Sequence, residues 1–291
     1  MRLTFTILLL FLFSCQTKEG TILSDTYPRT LDVSCFDFSG LEQEDIRLAD
    51  SILYVGLQNE ALHTLISGLK PMSDVMAFPF HKDEPDTVHS DMIIMGSERF
   101  METFAQLNRI TDAFQCDDLR AGLFPFRNVF NGKRHVQLRV FRADAVDRIL
   151  DENPDFWLKW AFMPGANAEI IIQTIEFESM LDRFRGYGYL YGYPSHAVDF
   201  FAASAAHHDE TGEFVERDFL SMPVVSGQSG RFVYAVEKGH TRSEADRQIY
   251  DAAAENVRHF NELSSSFYEP DSTFRAADFL RFFLMHETAT N

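Results

Sequence analysis

Two histidines and four acids crowd into one stretch around Pro85: His81, Asp83, Glu84, Asp86, His89 and Asp91. Imidazole nitrogens and carboxylate oxygens so close in sequence suit Ca²⁺, Mn²⁺ or Zn²⁺, and the same groups serve general acid–base hydrolysis. The spacing follows no EF-hand loop, and no His-Glu-x-x-His occurs in the chain. Acid clusters around a proline are more often solvated loops than metal sites. No other cofactor is evident.

A second stretch is rich in tyrosine: Arg185-Gly186-Tyr187-Gly188-Tyr189-Leu190-Tyr191-Gly192-Tyr193-Pro194. Written as a strand, it sets Tyr187, Tyr189, Tyr191 and Tyr193 on one face, a comb of rings suited to stacking on sugars. Written as a helix end, Gly192-Tyr193-Pro194 is a tight turn and Pro194 opens the next helix. The turn is the favoured reading. It puts Tyr187 and Tyr191 one helical turn apart, with Val198, Phe201 and Ala205 facing the core.

Familiar nucleophile and phosphate motifs fail on inspection. Gly227-Gln228-Ser229-Gly230-Arg231 has arginine where a nucleophile elbow needs its second glycine. Gly132-Lys133 lacks the upstream glycine of a phosphate loop.

The elements that must position these groups follow from periodicity. Apolar stripes predict helices over about 43–67, 97–115, 144–153 and 273–286. A further helix is expected after a capping box at Thr241-Arg242-Ser243-Glu244. Alternation predicts strands at 135–142 and 170–175, with late strands near 214–225 and 231–237 joined by a Gly/Ser loop. Helices thus flank a small, mainly antiparallel sheet, an α+β fold.

Composition narrows the partners. The chain has 291 residues and 29 Phe, enough to bury a sizeable core. Its formal charge of −18 repels phosphate backbones and anionic headgroups, so nucleic acid is a poor partner.

The first residues form an address. Arg2 is a basic n-region, and Leu3 to Phe13 are an apolar run about half the roughly 20 residues of a spanning helix. Leu12-Phe13-Ser14-Cys15 resembles the lipobox of bacterial lipoproteins. That resemblance implies a signal peptide over 1–14, a diacylglycerol on Cys15 and a chain anchored to a membrane that it never crosses. Gln16, rather than Asp, resembles an outer-membrane address. Residues 15–30 then read as the lipidated cysteine and a polar tether, and 31–291 as a single globular domain. Outside the inner membrane, Cys35 and Cys116 are able to form a disulfide closing a loop of about 80 residues. Two buried thiols are the alternative.

The expected function is therefore a lipid-anchored cell-envelope protein, binding or structural rather than catalytic, with a protein or saccharide partner. The alternatives are an envelope hydrolase using the 81–91 cluster and a carbohydrate-binding lipoprotein using the tyrosines. The address has a direct test. In cells fed labelled palmitate, Cys15→Ala should lose the label and leave the membrane fraction; label retained on the variant refutes the lipobox.

Overall fold

Strand β4 (Lys133–Arg142) organises the structure, because it is buried on both faces from Val136 to Phe141. The computed structural model describes residues 35–81, 93–94 and 98–287, all within one compact unit, Leu31–Asn291. The alternation in β4 is the one expected. One set of side chains, including Leu138 and Val140, enters one core, and Phe141 enters another. On that second face the polar Gln137 and Arg139 are buried too.

The helices and strands assemble around β4. Helix α1 (Gln43–Gln58) and the short α2 (Leu62–Leu65) precede β1 (Met72–His81). The two-residue β2 (Ile93–Ile94) and α3 (Glu98–Ala113) follow, then β3 (Leu119–Phe130). The main sheet runs β2-β1-β4-β3, antiparallel except for the β1–β2 pair. Next come α4 (Ala143–Glu152), α5 (Pro154–Trp157), α6 (Ala168–Phe177), α7 (Met180–Leu190) and α8 (Ser195–Thr211). A second sheet pairs β5 (Arg217–Ser221) with β6 (Val233–Glu237), and α9 (Glu244–Leu263) and α10 (Ala276–Glu287) end the described fold. The class is α+β. No helix of the described residues is long and apolar enough to cross a membrane.

Three cores result. Residues of α1, α2, α3 and α10 pack with Leu138 and Val140. Residues of α4, α6 and α7 pack with Phe141 around the fully buried Trp157. The β5–β6 hairpin forms a third core with Ala197 of α8 and Ala253 of α9.

Several local expectations are corrected. The helix expected over 43–67 breaks at Asn59, which turns extended while its side-chain amide donates to the Val55 carbonyl and closes the last turn. The strand expected at 170–175 is helix α6. The Asn167 side chain accepts from the Ile170 amide as its cap. Ile171, Ile172 and Ile175 then form a buried stripe at i, i+1 and i+4, and burial of that stripe outweighs the β-preference of isoleucine. The capping box sits two residues later than expected, between Ser243 and Asp246. Glu244 is instead exposed and pairs with Arg247.

The tyrosine segment is a helix end and turn. Tyr187 and Tyr191 stack with centroids 5.6 Å apart, one turn apart on α7. The four-ring strand comb is therefore excluded, since Tyr189 leaves on another side toward Phe156 and Trp157. The glycines between the rings are there for proximity. A Cβ on Gly186 would lie 2.7 Å from Ile175, and one on Gly188 would lie 2.7 Å from Val198. Any larger residue would push α7 off α6 or α8. Val198 is buried as expected, but Phe201 is only half-buried, edge-on to Phe184.

Cys35 and Cys116 are joined in a disulfide 81 residues apart in sequence. In the chain-entropy account such a loop contributes about 4 kcal/mol. The Cys35→Ala/Cys116→Ala chain should therefore unfold at clearly lower urea, with a steeper slope because its unfolded state is freer to expand; an unmoved midpoint would show that the bridge adds nothing.

A second expectation concerns pH. His63 is fully buried; its Nε2 lies 2.9 Å from the Pro223 carbonyl, and its Nδ1 lies 3.1 Å from the Asn256 amide. A carbonyl partner requires Nε2–H and an amide donor requires a bare Nδ1, so the ring is held neutral in one tautomer. Burial, reinforced by Lys70, lowers its pKa from 6.5 to about 3. The unfolded chain thus takes up a proton in that window and the folded chain does not, so stability is full above 6.5 and falls as the pH drops. Between pH 6.5 and 5 this amounts to about 2 kcal/mol, read as the difference between wild type and His63→Gln so that other groups cancel. Parallel pH curves for the two proteins would refute it.

Candidate functional site

Arg139 projects from the centre of β4 into the second core with 1% of its surface exposed. A guanidinium cannot shed its charge there, so it must be matched. Asp74 on β1 accepts from its Nε at 2.7 Å, and a Glu176 oxygen on α6 lies 4.0 Å from Nη2. Its face meets the rings of Phe124, Phe126 and Tyr187 at 5.1–5.6 Å. Burial alone would depress Arg139, but the Asp74 carboxylate beside it holds its pKa above the ordinary value.

The two carboxylates are satisfied from α7. Tyr191 donates its hydroxyl to Asp74 at 2.8 Å, and Tyr187 donates to Glu176. Glu176, fully buried, also accepts from Arg183 at 3.0 Å and from the Arg127 amide at 2.8 Å. Burial pushes both tyrosine hydroxyls well above their usual range, so they stay protonated and donate. A second buried cation lies alongside. Lys70 pairs with Glu60 and sits beneath Tyr191, Tyr193 and Phe232, 4.4 Å from the last ring.

Over this ionic floor lies a cavity of about 300 Å³. Its walls are ring faces, chiefly Tyr187, Tyr191, Tyr193, Phe201, Phe219 and Tyr234. Phe219, on β5, is 64% exposed and forms part of an apolar rim. No carboxylate, imidazole, ammonium or guanidinium is among the lining side chains. The hydroxyl protons of Tyr187, Tyr191 and Tyr234 are committed to Glu176, Asp74 and Asp246, which leaves Tyr193 as the one lining tyrosine whose hydroxyl no carboxylate of the described residues takes.

Behind Tyr234 sits a separate cluster. Asp246, fully buried in the first turn of α9, accepts from Tyr234 at 2.6 Å, the Ser243 amide at 2.7 Å and the Ser243 hydroxyl at 2.8 Å. His240 Nε2 lies 2.8 Å from one carboxylate oxygen and His196 Nε2 lies 3.2 Å from the other. The two imidazoles stack with centroids 5.1 Å apart. Burial pushes the Asp246 carboxyl up, but the hydrogen bonds from Tyr234, His240 and Ser243 outweigh it and hold the group ionised.

These positions differ from those singled out in the sequence. His81 ends β1, while Asp83, Glu84, Asp86, His89 and Asp91 lie outside the described residues, as does Cys15. Tyr187, Tyr191 and Tyr193 share the cavity wall, and Tyr189 does not. Cys35 and Cys116 belong to the opposite core, with α1 and α3. Arg139, Asp74, Glu176, His196, His240 and Asp246 were not foreseen. They come from separate elements tens of residues apart, so no local spacing announces them. No protein-family model, curated protein or solved structure matches this chain.

Proposed function

We propose that this chain is a lipid-anchored binding protein of the bacterial cell envelope whose aromatic cavity receives an apolar group, such as an acyl chain or a flat ring. The anchor rests on Leu12–Cys15, and the binding role rests on the cavity. The observation that carries the reading is the direction of the tyrosine hydroxyls. A saccharide site pairs its stacking rings with polar groups aimed at the sugar. Here three of the four lining tyrosines, Tyr187, Tyr191 and Tyr234, turn their hydroxyl protons into carboxylates, so burial of apolar surface is the main energy available to a ligand. The absence of acid–base groups from the lining favours binding over hydrolysis at this cavity. Exposed Phe214 and Phe219 extend the apolar surface outward from β5.

The test uses the unlipidated Cys15→Ala chain and the fluorescent polyene cis-parinaric acid. Saturable binding of one probe per chain, competed by palmitate and not by N-acetylglucosamine oligomers, is expected. Phe219→Ala should weaken it by about tenfold or more, the worth of one buried aromatic side chain, with little loss of stability. Val233→Trp should fill the space and abolish it. Competition by the oligosaccharide, or binding indifferent to both substitutions, would overturn this reading.

A further inference from the structure

We infer that His196, His240 and Asp246 form a binding site for a divalent transition-metal ion, with zinc the fitting choice, at the junction of α8, α9 and the β5–β6 hairpin. Their ligand atoms, two imidazole nitrogens and a carboxylate oxygen, all lie within 4.8 Å of one another. Two His and one Asp are the borderline-soft and hard donors that zinc takes in its open, three-ligand sites, leaving one position for water. The residues arrive from three places: the first turn of α8, the loop after β6 and the first turn of α9.

Three observations favour a cation over a purely structural hydrogen-bond cluster. First, His196 Nε2 is buried and makes no hydrogen bond, although it lies 3.2 Å from an Asp246 oxygen. Second, the imidazoles stack nearly parallel, 14° apart, and each presents Nε2 to the same carboxylate. A divalent ion can accept both nitrogen lone pairs and the carboxylate together. Third, the carboxylate is held by an outer layer, Tyr234 and Ser243, of the kind that fixes the orientation of metal-ligating acids. Tetrahedral ligands about 2.0–2.1 Å from zinc stand roughly 3.3 Å apart, so ligand atoms within 4.8 Å of one another can close on an ion by small rotations of the side chains. The histidine side chains are partly exposed, 35% and 19%, so a small shift of either ring would open the buried ligand atoms to an ion. Tyr234 belongs to both sites, with its ring on the cavity and its hydroxyl on Asp246.

The test is a titration of the detergent-purified full chain, stripped with chelator, with Co²⁺ and then Zn²⁺. One Co²⁺ per chain with the intense visible bands of a tetrahedral site, displaced by Zn²⁺, is expected. His196→Ala and His240→Ala should each weaken zinc binding, measured against a chromophoric chelator, by more than a hundredfold. Tyr234→Phe, which removes only the outer hydrogen bond, should cost about ten- to a hundredfold. Both histidines are partly exposed, so these variants should keep the fold, which an unchanged circular dichroism spectrum checks. Absence of a tetrahedral cobalt spectrum in the wild type overturns the assignment. So does zinc binding that survives both histidine variants, including binding that moves with His81 or His89.

Discussion

A permanently charged guanidinium sits at the middle of the central strand, and much of the surrounding structure answers it. Arg139 cannot neutralise itself by losing a proton, so folding must bring carboxylates to it or pay several kcal/mol of desolvation. Asp74 comes from the neighbouring strand, and Glu176 comes from α6. Each carboxylate then needs further donors, which α7 supplies through Tyr187 and Tyr191. The chain of obligations fixes the rotation of α7. That rotation turns the backs of the two rings toward α8 and the β5–β6 hairpin, and the cavity is the space they leave.

Burial of such a network is weak evidence for stability in itself, because a well-packed apolar set often does as well. Its use here is geometric. An aromatic wall built from valines and leucines would be free to slide, whereas a ring tethered by its hydroxyl to a buried acid has one orientation. Lys70 beneath Tyr191, Tyr193 and Phe232 adds a second fixed charge under the same wall. The cavity is thus stiff on its floor and soft only at its exposed Phe219 rim.

What the sequence made legible was local. The α+β class, the long helices, the hairpin near 214–237 and the turn at Gly192–Pro194 follow from periodicity and turn chemistry. The isoleucine run of α6 misled because β-branched residues alternate plausibly as a strand until Asn167 caps them and a core face claims three of them. The alternation of β4 was correctly seen, yet its meaning was not. A period of two ordinarily marks one wet face, and nothing in Arg139 itself says that α7 covers it. The site residues escaped for a related reason. Asp246 looks like an ordinary helix-start acid, and His240 looks like part of a turn. Only the tertiary path brings them to His196. The tyrosines lie in the helix end and turn that their glycines and Pro194 predict; what no local pattern announces is that their hydroxyls pair with Asp74 and Glu176.

The disulfide also settles how load travels along the chain. Residues 1–34 join the described fold at Cys35, whose side chain is covalently fixed to Cys116, three residues before β3 begins. A pull applied from the N-terminal side therefore divides at Cys35. The stiff branch crosses the sulfur bridge into the edge of the sheet, where force is borne across β3–β4 hydrogen bonds. Everything between the cysteines, including α1, α2, β1 and α3, lies inside the closed loop and is spared. Tension arriving at Cys35 would thus bypass the elements held inside the loop.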